Sequence, residues 1–122
     1  MDNARIATLV VEDEAIIRMG IVEELEDAGF DVVQASNAAQ AIGVLTSNSR
    51  IEVLFTDVDM PGSIDGLGLA AVVRDRWPPI KIIVTSGHRI IGVDVLPIDV
   101  RFMVKPYDPN AVIRSIREMT LN

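Results

Sequence analysis

Leu54-Phe55-Thr56-Asp57-Val58-Asp59-Met60-Pro61-Gly62 is the stretch whose reading decides the fold. An apolar run with an aromatic residue ends here in residues that favour a turn. It predicts a buried strand over 51–56 that delivers Asp57 to the start of a loop. In open α/β sheets the chemistry gathers at such strand ends.

Working outward, the same grammar repeats. Residues 6–11 read as a first buried strand running into Glu12, Asp13 and Glu14. A helix follows, with Ile17, Ile21, Leu25 and Ala28 on its inner face, acids on its outer face and Gly29 as its stop. Residues 30–35 form a second strand, and either Ser36 or Asn37 caps a helix striped by Ala38, Ala41, Ile42 and Leu45. Beyond Asp57, Asp65-Gly66 opens a third helix with Leu69, Ala70, Val73 and Trp77 inside, ended by Pro78-Pro79. Residues 80–85 give a fourth strand and 101–104 a fifth. Asp108 caps and Pro109 opens a last helix through Val112, Ile113, Ile116 and Met119. Strands that alternate with helices in this way predict a parallel sheet covered on both faces, as one domain over residues 1–122.

Composition narrows the function. A chain of 122 residues is long enough to build a core unaided. It has no cysteine, which excludes disulfides and thiolate zinc sites and fits a reducing compartment. No apolar stretch approaches the ~20 residues of a membrane span, and the start lacks the layout of a secretory signal. A net charge of -7 argues against direct nucleic-acid binding. The expectation is a soluble, acidic, cytoplasmic domain without membrane or nucleic-acid partners.

Polar groups fall at four strand ends: Glu12 and Asp13, Asp57, Ser86, and Lys105. If the strand order is 2-1-3-4-5, the acids meet in one crevice. Carboxylates held close together repel and take up protons unless a cation lies among them. A hard, oxygen-seeking ion suits them, and Mg2+ fits few carboxylates plus a phosphate ligand better than Ca2+ does. Zinc is disfavoured because His88 is the single histidine. A carboxylate can also attack phosphorus, with an ammonium such as Lys105 and a hydroxyl such as Ser86 taking the phosphoryl oxygens. Thr85 is the rival for the hydroxyl role, although strand alternation turns it elsewhere.

Each residue has a plainer reading alone. Glu12 and Asp13 could cap the first helix, Asp57 and Ser86 could be ordinary turn and loop residues, Lys105 a solvated strand end and Phe102 simply core. Their joint occurrence in one order is what favours a site.

Glu12-Asp13, Asp57 with Met60-Pro61, Ser86-Gly87 and Lys105-Pro106, in that order at the ends of the first, third, fourth and fifth strands, resemble the receiver domain of bacterial two-component response regulators, of the chemotaxis-receiver kind. The resemblance spans essentially the whole chain. It implies a flavodoxin-like (βα)5 fold, a doubly wound parallel five-stranded sheet of order 2-1-3-4-5, acting as a phosphorylation-activated switch. Asp57 would accept a phosphoryl group from a histidine kinase or histidine phosphotransfer protein. Glu12, Asp13, Asp57 and the backbone carbonyl of Asp59 would hold Mg2+, with Ser86 and Lys105 on the phosphoryl oxygens. Phe102 would swing as Ser86 moves, and the Lys105-Pro106 bond would be cis. Asp59 and His88 would tune the lifetime of the phosphate. Such a protein catalyses its own phosphorylation and dephosphorylation rather than a metabolic reaction. Its output face, around the fourth helix, fifth strand and last helix, would meet a downstream protein target or a second copy of itself.

Two features depart from the family pattern. Gly62-Ser63-Ile64 separates Pro61 from Asp65-Gly66 by three residues where the family usually has two. Arg89-Ile90-Ile91-Gly92-Val93-Asp94-Val95-Leu96-Pro97 is rich in β-branched residues, Gly and Pro, so a short or irregular fourth helix is expected over 89–95. Part of Ile90, Ile91, Val93 and Val95 should then stay exposed near Arg114 and Arg117. The chain stops at Asn122, just after the last helix, so a receiver without an output domain in this stretch is expected, either as a stand-alone regulator or as a piece of a longer protein. Two other classes remain as alternatives: a pseudo-receiver that only binds partners, and an aspartate-nucleophile phosphatase, since Asp57-Val58-Asp59 also matches the Asp-x-Asp of the haloacid-dehalogenase family. In that family the pair follows the first strand of a longer chain rather than the third of five.

Overall fold

A computed structural model of the chain describes residues 5–48, 50–87 and 100–121. Five strands, β1 (Ala7–Val11), β2 (Asp31–Ala35), β3 (Val53–Asp57), β4 (Lys81–Ser86) and β5 (Val100–Val104), pair in parallel in the order β2-β1-β3-β4-β5. β1 and β3 are buried along their whole length, as expected of inner parallel strands with both faces covered. The register sets Val11 beside Thr56, Asp57 beside Thr85 and Ser86 beside Val104, so the C-terminal ends line one edge.

Among the described residues four helices cover the sheet: α1 (Ala15–Asp27), α2 (Ala38–Ser47), α3 (Gly66–Arg76) and α4 (Pro109–Thr120). Successive strand residues point to opposite faces, and the core divides accordingly. Leu9, Val11 and Leu54 pack with Ala41, Leu45, Leu69 and Val73 of α2 and α3. Val10, Val53, Phe55 and Ile83 pack with Ile21, Leu25, Val112 and Ile116 of α1 and α4. These are the inner faces that the helical spacing predicts, and the sheet is doubly wound.

Local chemistry sets the helix ends. Gly29, at φ +97°, closes α1 while Gly29 N donates to Glu26 O and Phe30 N to Leu25 O, the paired reverse bonds of a glycine-terminated helix. Of the two candidate caps for α2, Asn37 takes the role: its side chain accepts from Gln40 N at 2.8 Å, and the Gln40 side chain accepts in return from Ser36 N at 2.8 Å. Asp65 caps α3 through Gly68 N, and Asp108 caps α4 through Asn110 N ahead of Pro109.

The strand limits differ slightly from the sequence reading. β3 begins at Val53 and includes Asp57, and β4 continues through Ser86, because parallel pairing with the neighbouring strand extends to those residues. The short or irregular helix expected over 89–95, with its apolar patch, lies outside the described residues. Among the described residues no helix is long and apolar enough to cross a membrane.

Candidate functional site

The edge of the sheet gathers Glu12 just past β1, Asp57 at the end of β3, Ser86 at the end of β4 and Lys105 just past β5. Carboxylate oxygens of Glu12, Asp13 and Asp57 lie within 4.8 Å of one another. Glu12 and Asp57 are each 3% exposed, whereas Asp13 is open to solvent. The Lys105 ammonium reaches into this cluster, 3.1 Å from Glu12 Oε1 and 3.1 Å from Asp57 Oδ2. Lys105 is therefore not a solvated strand end. The Lys105-Pro106 peptide is cis, as the resemblance implies.

One ammonium does not balance the acids. Burial pushes the carboxyls of both Glu12 and Asp57 above their ordinary values, against the lowering effect of bonds from Lys105 and from backbone amides. For Lys105 burial works downward, yet the bonds and charges of Glu12 and Asp57 outweigh it and raise the ammonium's pKa. Tyr107, stacked edge-on against Phe55 with ring centroids 5.4 Å apart, is pushed up to about 12 by burial and then by the charge of Glu12. A compact, oxygen-only donor set with surplus negative charge suits a hard divalent cation, so the residues present fit Mg2+.

Both Asp57 oxygens are held: Oδ2 by Lys105 and Oδ1 by the backbone N–H of Asp59 at 3.2 Å. Glu12 keeps part of its plainer role as well, since its Oε2 accepts from Glu14 N at 3.1 Å where α1 begins. Ser86, 1% exposed, donates its hydroxyl to Asp59 Oδ2 at 2.9 Å. Thr85 lies one residue earlier on β4 and so faces the opposite side of the sheet. Phe102 is half-buried against the α2 and α3 side of the core. His88 lies outside the described residues.

The sequence reading missed three contributors. Arg18 donates to Glu12 O at 2.7 Å and to Gln34 Oε1 at 3.1 Å, tying the acidic loop to β2. Its signal was available, as the one basic side chain in the otherwise acidic and apolar α1. Gly66 sits where α3 crosses the end of β3: a Cβ there would overlap the Asp57 carbonyl oxygen and lie 2.6 Å from Val58 Cα. Only glycine permits that approach. In the longer loop, Gly62 takes φ +115° and Ile64 packs into the α2 and α3 side of the core, so the extra residue is accommodated by a left-handed turn and an apolar anchor. Nothing in the sequence pattern announced either glycine's role.

The family model of the response regulator receiver domain matches residues 8–117. An NtrX-like response regulator of Rickettsia felis is 32% identical over 114 residues, covering 90% of this chain and 24% of that protein. The chain thus spans about a quarter of the length of that relative. Among solved structures, a response regulator receiver protein from Pseudomonas putida superposes with a TM-score of 0.85 at 31% identity, over 96% of this chain and 99% of that one. The response regulator protein TrrA of Thermotoga maritima, in complex with Mg2+-BeF, superposes with a TM-score of 0.83 at 26% identity, over 93% and 98% of the two chains.

Proposed function

Because this chain belongs to the response regulator receiver domain family of two-component signalling, we propose that it is a phosphorylation-activated switch in which Asp57 accepts the phosphoryl group. The observation that carries the reading is the placement of the Lys105 ammonium 3.1 Å from both Glu12 and Asp57, with Asp13 completing the acid cluster. The solved relative in complex with Mg2+-BeF supports the same choice of ion.

In the reaction, an Asp57 carboxylate oxygen bonds to phosphorus. The bond from phosphorus to the donor's imidazole nitrogen breaks, and the electron pair leaves with that nitrogen. The donor is a histidine kinase or a histidine phosphotransfer protein. Lys105, already beside Asp57 Oδ2, neutralises charge on the arriving oxygens, and the Ser86 hydroxyl donates to one of them. Glu12, Asp13, Asp57 and the Asp59 carbonyl would hold Mg2+, which when bound neutralises phosphoryl oxygens. Ser86 ends β4 beside Val104 of β5, so its movement bears on the strand that carries Phe102. Phe102 then shifts, and the face beside β5 and α4 changes what it binds, either a downstream protein target or a second copy of this chain. Asp59 and His88 set the lifetime of the acyl phosphate.

Incubation with Mg2+ and acetyl phosphate, followed by mass spectrometry, tests the proposal. A phosphate adduct is expected on Asp57, absent from Asp57→Asn and absent in excess EDTA. Equal labelling of parent and variant overturns it. No adduct on the parent favours instead a binding module that is never phosphorylated.

A further inference from the structure

The hydroxyl that the switch needs is already engaged. Ser86 Oγ donates to Asp59 Oδ2 at 2.9 Å, joining the end of β4 to the loop after β3 across 27 residues. The same Asp59 donates its backbone N–H to Asp57 Oδ1 at 3.2 Å, so the residue that holds the hydroxyl is also tied to the phosphoacceptor. A serine hydroxyl has one proton to donate. While it points at Asp59 it cannot also point at a phosphoryl oxygen on Asp57.

Burial sharpens the competition. Ser86 is almost wholly enclosed, whereas Asp59 is exposed at the rim. Releasing the bond costs the buried hydroxyl more than it costs the carboxylate, which water can solvate at once. The hydroxyl therefore leaves Asp59 only when another strong acceptor is at hand. An aspartyl phosphate is such an acceptor.

We propose that Asp59 is a latch: its carboxylate holds Ser86 in the resting arrangement and competes with the phosphoryl group for the single Ser86 proton, which raises the threshold for activation. Asp59 acts through Ser86 and is a positioning residue. The proposal rests on the phosphoacceptor reading and adds a restraint on it that is distinct from the lifetime of the phosphate.

Two double-mutant cycles over Asp59→Ala and Ser86→Ala test it. The first uses the metal-free, unphosphorylated protein in urea. Asp59→Ala should lower the unfolding midpoint of the parent and leave that of Ser86→Ala unchanged; additive losses overturn the latch. The second measures binding of beryllofluoride with Mg2+, a phosphoryl mimic. Asp59→Ala should tighten it about tenfold in the parent, the equivalent of one hydrogen bond to a charged acceptor, and have little effect beside Ser86→Ala. Asp59→Asn, which keeps an acceptor without the charge, should fall between the parent and Asp59→Ala. If Asp59→Asn matches Asp59→Ala, or if the gain persists without Ser86, simple charge repulsion is at work and the latch is overturned. A parent that binds no beryllofluoride overturns the phosphoacceptor reading and the latch with it. A parent that binds equally well with and without Asp59→Ala overturns the latch alone.

Discussion

Lys105 Nζ donates to Glu12 Oε1 at 3.1 Å, joining residues 93 positions apart in sequence and bringing the end of β5 to the end of β1. The contact places the one ammonium of the site between two buried carboxylates.

Lys105→Ala should leave those carboxylates facing each other without a cation. Removing one partner of a buried charge pair costs up to several kcal/mol, and protonation of the acids relieves part of it. We expect a loss of about 2 kcal/mol at pH 8 and a smaller one at pH 5, measured by urea denaturation in EDTA. A loss that grows toward low pH contradicts this account.

The raised carboxyls of Glu12 and Asp57 have a definite sign in pH. A folded-state pKa above the unfolded one gives stability that is present below the ordinary values of 4.5 and 3.8 and is lost as pH rises through the raised folded values. In EDTA, the stability of the parent relative to Glu12→Gln/Asp57→Asn should therefore fall as pH rises from 4 toward neutrality, and the thermal shift produced by Mg2+ should grow over the same range. Parallel stability curves for the two proteins would refute it.

Tyr107 is the one tyrosine of the chain, so tyrosinate absorbance reads it alone. With its pKa pushed up to about 12 by burial and by the charge of Glu12, stability is lost as pH rises from the ordinary value of 10.0 through that higher one. Ionisation should coincide with loss of helical circular dichroism. A simple titration near pH 10 in the folded protein would show the ring to be more open than described.

Two glycines should respond oppositely to alanine. Gly66→Ala drives a Cβ into the Asp57 carbonyl and should cost about 2 kcal/mol or more, with weaker Mg2+ binding, because backbone rather than a side-chain tip must move. Gly43→Ala, in α2 with nothing within 4 Å, should stabilise by about 0.5–1 kcal/mol. Urea midpoints and calorimetric titration with Mg2+ check both.

The fold was legible because each element carried several agreeing signals. Ile21 and Leu25, or Ala41 and Leu45, recur at helical spacing, and Asp65, Asp108 and Pro109 mark helix starts in words local to the chain. The placement of Glu12, Asp57 and Lys105 at one edge followed from strand order. That order came from the resemblance and not from periodicity, because pairing is a long-range property. What stayed illegible was contact that no local pattern encodes: the Arg18 side chain on the Glu12 backbone carbonyl, the Ser86 hydroxyl on the Asp59 carboxylate, and the closeness of Gly66 to the backbone at the end of β3. Glycine at 66 reads as a turn residue until the strand it touches is known.

β5 sends Phe102 into the core on one side of the sheet and Met103 into the core on the other, two residues before Lys105. Because packed cores deform together rather than locally, a slide of this strand works like a shared axle: whatever loosens one side of the molecule must disturb the other. A receptor docked on the α2 and α3 side and one docked on the α1 and α4 side would then respond to the same event, in step. Such a domain would broadcast a single bit, and independent control of its two sides would require severing that axle.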